Sequence, residues 1–332
     1  MVSALGNGVK ACPRAGKPVP RGGKWFSLID KVIRPATLDI AWQRVARNKG
    51  AAGVDGQSIE RFAAQSGRYL HELQRSLTEG SYRPDPVKRV EIPKADGKTR
   101  PLGIPTVKNR IVQTALKMVI EPIFEVQFQP GSFGFRPGRG CKDALREVDR
   151  LLKEGYTHVV DADLKSYFDT IPHDRLMALV EGSISDSRVL ALIDGFLQQE
   201  IKIARWQPTT GTPQGAVLSP LLANLYLHPL DVLMEQNGCR MVRHADQAFR
   251  SAWLTSVSMR LAHANETRGT PTKRRDDFVI LCIGSGGDRG TASGYHVGEC
   301  QRPDPAPRQD AHRRQRTGAL VIGQKGCQVK RL

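Results

Sequence analysis

Aspartate residues in three parts of the sequence are candidates for a metal-dependent site. Asp161 and Asp163 alternate along the apolar run 158–164, which predicts a strand with both residues on one face. Asp163 is the better candidate ligand, because the strand around it is hydrophobic and then turns into the aromatic pair Tyr167-Phe168. The alternative for Asp163 is a residue that caps the next turn, and the alternative for Asp161 is a solvated side chain. Asp246 and Asp277 follow later in the chain. Two-metal phosphoryl transfer needs carboxylates from separate elements that converge on ions about 3.5–4 Å apart, and Mg²⁺ prefers such oxygen ligands.

Two further segments have residue types that suit close contact with an anionic ligand. In GTPQGAVLSP (211–220) the glycines permit close approach of the backbone to a ligand, so Gln214 and Gly215 are expected beneath it. The alternative for this segment, taken alone, is the start of an ordinary helix. Lys94 and Arg100 belong to a basic segment, where Arg offers phosphate a planar fork and Lys a mobile point charge. The alternative for the lysine is a solvated basic hairpin that touches a phosphate backbone without specificity.

Hydrophobic spacing predicts the elements that would position these residues. Apolar residues at helical intervals predict helices within 25–80 and across 111–124, where Pro122 is expected to bend the chain. Two short strands around the turn residues 95–98 predict a β-hairpin over 82–105. The later pattern predicts helices at 173–181, 187–199 and 218–236, and a final hairpin from strands 240–244 and 278–282.

Four sequence blocks, in order, resemble those of a known family. VVDADLKSYFDTIPHDRL (159–176) resembles the reverse transcriptase block with the first catalytic aspartate. Three more resemble its companion blocks in bacterial group II intron proteins: RPLGIPTVKNRIVQ (100–113), SFGFRPGRGCKDAL (132–145) and GTPQGAVLSPLLANLYLHPLD (211–231). The resemblance covers 25–246. It implies an α+β fold of the right-hand polymerase type, with fingers and a palm in which helices back a small antiparallel sheet. In such a palm, Asp163 and Asp246 are expected to face one cleft from adjacent strands.

The same resemblance implies how a nucleotide is bound. Lys94 and Arg100 are similar to the residues that hold the triphosphate, and Gln214 and Gly215 to those beneath the nucleotide and template base. Phe168 stands where an aromatic ring blocks a ribose 2′-hydroxyl, although a buried core aromatic is an equal alternative. The implied ligands are RNA (intron RNA and template), a DNA primer and deoxynucleoside triphosphates, with two Mg²⁺ ions as cofactors.

The second aspartate box of the family is split in this chain. Relatives have an aromatic residue, alanine and two adjacent aspartates at a hairpin turn, but here His244 replaces the aromatic residue and Asp246 is followed by an insertion. Removing the insertion would join Asp246 to Asp277, so these residues and Asp163 are the expected catalytic metal ligands, with Asp276 as the substitute for Asp277. Because catalytic groups must be held within about 0.5 Å, we expect impaired polymerisation.

The segments around this box have few features of a selected fold. The inserted residues could form a short amphipathic helix, but a shifted reading frame is the favoured interpretation, and neither a thumb nor an HNH nuclease is recognisable. Asn224 is predicted to be an ordinary helix-surface amide. The predicted organisation is a flexible basic tail (1–24), fingers (25–105), palm core (106–246), insertion (247–275), residual palm strand (276–283) and a disordered Gly/Pro/Arg-rich tail (284–332).

The composition of the chain indicates the kind of partner that it binds. The excess of 17 positive charges favours a polyanion, although a basic protein that only remains soluble is the alternative. The six scattered cysteines include no CxxC pair, and no apolar stretch suits a membrane span or a secretory signal, so a cytoplasmic protein is expected. Three functions stay open: an RNA-directed DNA polymerase, a non-catalytic intron-RNA-binding maturase, and an inactive remnant.

Overall fold

A computed structural model describes most of the chain between its two ends. The described residues are 23–93, 99–156, 158–164, 167–199, 210–212, 215–244, 277–282 and 328–331. Outside them lie the predicted N-terminal tail up to residue 22, the insertion, most of the C-terminal tail and the site residues Lys94, Gln214, Asp246 and Asp276. Among the described helices, none is long and apolar enough to cross a membrane.

The chain divides into two compact units. The first comprises residues 1–127 and 168–222, and the second comprises 128–167 and 223–332. This division follows spatial compactness, so the predicted fingers and palm boundaries stay predictions.

Helices supply most of the first unit. Buried residues at helical spacing form one face of α2, which packs against α5. Thr106 caps α5 by accepting a hydrogen bond from the backbone N–H of Asn109, and Pro122 lies inside this helix without ending it. The helices of the first half are α1 (Ile29–Val32), α2 (Pro35–Arg47), α3 (Ile59–Ala63), α4 (Ser66–Glu79) and α5 (Val107–Glu125).

The predicted basic hairpin is present in this unit. Strands β1 (Lys88–Pro93) and β2 (Thr99–Ile104) pair antiparallel, with Ile92 opposite Arg100. The structure also contains the two helices predicted after the central strand, as α8 (His173–Ser183) and α9 (Ser187–Leu197). Asp186 caps α9 and also accepts a hydrogen bond from the backbone N–H of Ile29, at 2.8 Å.

A four-stranded antiparallel sheet forms the centre of the second unit. Its order is β4-β5-β3-β6. The prediction of a fold with helices and a small antiparallel sheet is confirmed at this level. The strands are β3 (His158–Asp163), β4 (Arg240–Arg243), β5 (Asp277–Cys282) and β6 (Gln328–Arg331), and the helices in or entering this unit are α6 (Cys141–Lys153), α7 (Tyr167–Thr170) and α10 (Ser219–Gln236).

The hairpin on either side of the interruption forms despite the intervening residues. β4 pairs antiparallel with β5, with Arg243 opposite Phe278, so the chain leaves and re-enters the sheet at neighbouring positions. Loop closure costs only about 0.6 kcal/mol for each doubling of loop length, which is why so long a connection is compatible with the ladder.

Two expectations about strand placement were wrong. Asp163 and Asp246 were expected on adjacent strands, but β5 lies between β3 and the strand that precedes Asp246. Gln328–Arg331, in the tail predicted to be disordered, form a strand along the free edge of β3. Composition predicts whether side chains can build a core, whereas an edge strand is held by main-chain hydrogen bonds.

Helix α6, which hydrophobic spacing had not identified, packs on this unit's sheet. Its buried residues Ala144, Val148 and Leu151 recur at helical spacing and form a cluster with Phe133 and Val242. Asp143 closes the first turn by accepting a hydrogen bond from the backbone N–H of Gly140. The cluster therefore fixes β4, through Val242, against the rest of the unit.

Candidate active site

Two of the predicted metal ligands are direct partners in the sheet. Asp163, the last residue of β3, lies opposite Asp277, the first residue of β5. Directly opposed residues of antiparallel strands share a face, with Cβ atoms about 4.5–5.5 Å apart. Asp161, two positions earlier, lies opposite Val279. The register therefore places Asp163, rather than Asp161, opposite a second aspartate.

The chemistry of these residues fits a hard divalent cation. Two carboxylates from separate strands are the oxygen donors that Mg²⁺ prefers. Asp246, the expected third ligand, lies outside the described residues, only three positions after the end of β4. Within the described ranges, no group of three or more His, Cys, Asp or Glu residues is placed to hold a metal ion.

The end of β4 is fixed by a buried polar network. The Arg243 guanidinium donates to both Asp231 carboxylate oxygens, from Nε at 2.8 and 3.1 Å and from Nη2 at 2.8 Å. Its Nη1 donates to Asn224 Oδ1 at 2.5 Å, and Asn224 Nδ2 donates to the carbonyl of Gly134 at 2.7 Å. Asn224 is thus buried, with a hydrogen bond at both Oδ1 and Nδ2, so its prediction as a helix-surface amide was wrong.

A histidine lies beside this network. Burial is the largest cause of a lowered pKa of His228; the Asp231 carboxylate opposes this effect, and the Arg243 and Arg136 cations add to it. Its Nδ1 atom is buried without a hydrogen-bond partner, and its ring meets Phe128 edge-on, with centroids 5.8 Å apart. The folded protein therefore favours the neutral imidazole.

We expect this histidine to make folding less favourable in acid. The unfolded imidazole has a pKa of about 6.5, so below that pH the unfolded chain binds a proton that folded His228 resists. The free energy of unfolding should therefore fall as pH decreases through about 6.5. In His228→Gln the fall between about pH 7.5 and about pH 5.5, measured by urea unfolding, should be smaller.

The exposed His71 provides the matched control. His71→Gln makes the same substitution at an exposed position, so it should leave the free energy of unfolding at about pH 7.5 unchanged. An unchanged pH dependence in His228→Gln would show that the buried imidazole does not contribute.

In the first unit, the glycine loop lies against the basic hairpin. Gly215 has φ +104°, and a Cβ there would collide with the carbonyl oxygen of Gly103 on β2. Only glycine adopts this positive φ without strain and also leaves room for the carbonyl oxygen. Since Arg100 belongs to the same strand, the structure brings this element and Gly215 together, while Gln214 and Lys94 lie outside the described residues.

Gln113 supports the residues that follow this loop. This fully buried side chain on α5 accepts hydrogen bonds from the backbone N–H groups of Val217, at 2.8 Å, and Leu218, at 3.4 Å. Sequence reasoning missed Gln113. The available signal was a polar residue on the otherwise apolar face of a predicted helix, at helical spacing from Leu116 and Ile120.

The segment that contains Phe168 is tied to the start of the same loop. The backbone N–H of Thr212 donates to the Phe168 carbonyl at 2.7 Å, and that of Gly211 donates to the Ile171 carbonyl at 2.7 Å. His173 Nε2 lies 2.6 Å from the carbonyl oxygen of Gly211. Phe168 is half-buried, so the structure favours neither a purely core role nor a fully exposed ring.

Comparisons with known proteins identify the family of the chain. Residues 92–251 match the reverse transcriptase (RNA-dependent DNA polymerase) family. The chain is 35% identical over 274 residues to protein YkfC of Escherichia coli (strain K12), covering 78% of this chain and 71% of YkfC. It is 38% identical over 222 residues to the group II intron-encoded protein LtrA of Lactococcus lactis subsp. cremoris, covering 65% of this chain and 36% of LtrA.

A solved structure is also similar. A chain of a partial Cas6-RT-Cas1–Cas2 complex has a TM-score of 0.41 and 22% sequence identity, covering 77% of this chain and 38% of that one. The chain belongs to the reverse transcriptase family, and group II intron-encoded proteins are among its relatives, as its sequence blocks predicted.

Proposed function

We propose that this chain is an RNA-directed DNA polymerase of the group II intron type, with a fingers-and-palm fold and a catalytic centre weakened by its interrupted aspartate box. The observation that carries the proposal is the direct pairing of Asp163 with Asp277 on neighbouring strands. Such pairing places two acidic residues from distant parts of the sequence at one position of the sheet. Family membership supports the same activity.

Asp163, Asp246 and Asp277 are the residues that would hold two Mg²⁺ ions. When bound, such ions stabilise the charge on the attacking and leaving oxygens of nucleotidyl transfer. The chain's contribution is to keep the carboxylates close before the substrate arrives. The β3–β5 ladder supports this for Asp163 and Asp277.

Residues of the first unit are proposed to bind the incoming deoxynucleotide. Lys94 and Arg100 would contact the triphosphate, since the cationic hairpin complements its charge. Gln214 and Gly215 would lie under the base, and the half-buried Phe168 ring would exclude a 2′-hydroxyl. The contact of Gly215 with β2 and the hydrogen bond from Thr212 to Phe168 support a common location for these groups.

Template RNA and a DNA primer are the proposed polyanionic partners. Because the chain carries 17 excess positive charges, RNA affinity should decrease steeply with salt, with a log–log slope of about −0.7 for each phosphate neutralised. Fluorescence anisotropy with two unrelated RNA sequences should give similar affinities and slopes. A flat slope, or equal binding of an uncharged polymer, would contradict nucleic acid as the partner.

A maturase that binds intron RNA without polymerising is the second candidate. The specific observation in its favour is the 34-residue separation between the paired residues Arg243 and Phe278, within the box that must supply metal ligands. Primer extension on an RNA template with Mg²⁺ and deoxynucleotides distinguishes the two candidates. Extension that requires Asp163 supports the polymerase, whereas RNA binding without extension, even after the interruption is removed, supports the maturase.

A further inference from the structure

Strand β4 is held on both edges immediately before the interrupted box. One edge pairs with β5, and on the other Arg243 exchanges backbone hydrogen bonds with Gly131 and Phe133, each 3.0 Å long. A Cβ at Gly131 would collide with the carbonyl oxygen of Met241, so the close approach of this segment requires glycine. The backbone of Arg243 is therefore fixed on two sides.

The Arg243 side chain fixes the same strand to α10. Its ion pair with Asp231 is almost fully buried, with side-chain exposures of 7% and 4%. The guanidinium makes a bidentate contact with Asp231 and a hydrogen bond with Asn224, two residues seven positions apart on the helix. Asn224 in turn holds Gly134, so strand, helix and the 131–136 segment share one network.

Stability alone does not explain a buried ion pair. Removing two charges from water costs several kcal/mol per ion, and apolar residues of similar volume often give equal or greater stability. What an apolar pair cannot reproduce is the fixed direction of a planar, bidentate contact. The network therefore fixes the position of β4 relative to α10 more than it raises the free energy of unfolding.

We infer that Arg243 is a positioning residue for the metal-binding carboxylates, an inference that rests on the proposed polymerase site. Arg243 lies opposite Phe278 in the β4–β5 ladder, and the preceding residue Asp277 lies opposite Asp163. The anchor thus fixes the end of the ladder at which Asp163 and Asp277 face each other. Outer residues that orient metal ligands typically change metal affinity by about 10–100-fold when they are replaced.

Mn²⁺ binding to the full chain tests this inference without depending on catalysis. Free Mn²⁺ is measured by its paramagnetic resonance signal, and the midpoint of thermal unfolding is recorded for each variant. The double variant Arg243→Met with Asp231→Leu removes both charges and should stay folded, with a midpoint lowered only by the lost hydrogen bond to Asn224, yet bind Mn²⁺ about 10–100-fold more weakly. Arg243→Lys, which retains the charge but loses the fork, should show an intermediate loss.

Arg240 supplies the matched control on the same strand. Its exposed ion pair with Glu235, at 3.2 Å, lies away from the network, so Arg240→Met should leave Mn²⁺ affinity unchanged. The inference is overturned if the chain binds Mn²⁺ through Asp163 but both Arg243 variants bind it as tightly as the parent does. If Mn²⁺ binding is absent, or is unaffected by Asp163→Asn, the proposed metal site itself is wrong and the inference fails with it.

Discussion

Deleting Gln247–Asp276 should increase primer extension by at least about 100-fold, since a misplacement of about 1 Å at a catalytic site can cost that much in rate. The ladder pairs Arg243 with Phe278, and the deletion leaves four residues between them: His244, Ala245, Asp246 and Asp277. Four-residue connections are common in β-hairpins. Asp246 and Asp277 become adjacent, while Asp277 keeps its register opposite Asp163.

The shorter connection should also stabilise the hairpin. Reducing the loop from 34 residues to four lowers the closure cost by about 2 kcal/mol. The measurement is the rate of DNA synthesis on a primed RNA template with Mg²⁺ and deoxynucleotides, at equal concentrations of folded protein. Urea unfolding of both chains gives the accompanying change in stability.

A partial deletion separates the effect of loop length from that of joining the aspartates. Removing Ser251–Thr270 shortens the loop by twenty residues but leaves ten between Asp246 and Asp277. We expect this control to extend primers little faster than the parent. If the parent already extends primers as fast as the full deletion, the inserted residues are tolerated and the site is intact.

Regular periodicity predicted most of the described elements. The first-unit hairpin, helices α8 to α10 and the β4–β5 hairpin lie where apolar spacing and turn residues placed them. These signals are local, because each element buries a face that its own sequence defines. The resemblance of the four sequence blocks to a known family predicted the type of fold that these elements form.

The buried polar residues that hold the candidate site in place were harder to predict. Gln113, Asn224 and Asp231 lie on helices whose pattern indicates only a buried face, and each is a polar residue that is paired inside it. A sequence shows that such a residue occurs but not which distant backbone or side chain satisfies it. The register that sets Asp163 opposite Asp277 likewise depends on pairing between residues 114 positions apart.

Changing Asp163 to Asn in the shortened chain should abolish the recovered primer extension. The substitution preserves the size of the side chain and removes its charge, and a neutral amide cannot balance the positive charge of two metal ions. Asp161→Asn is the matched control, because Asp161 is on the same strand and the same face but lies opposite Val279. We expect the Asp161 variant to retain extension within about tenfold of the shortened chain, since its partner position supplies no second carboxylate.

Both variants must fold for this comparison to be informative. Equal midpoints of thermal unfolding for the shortened chain, its Asp163→Asn form and its Asp161→Asn form would establish that. If activity then disappears with Asp161→Asn and survives Asp163→Asn, the roles of the two aspartates are reversed. The register between β3 and β5 would then be displaced by two residues in the active protein, because only such a shift sets Asp161 opposite Asp277 without moving it to the other face of the sheet.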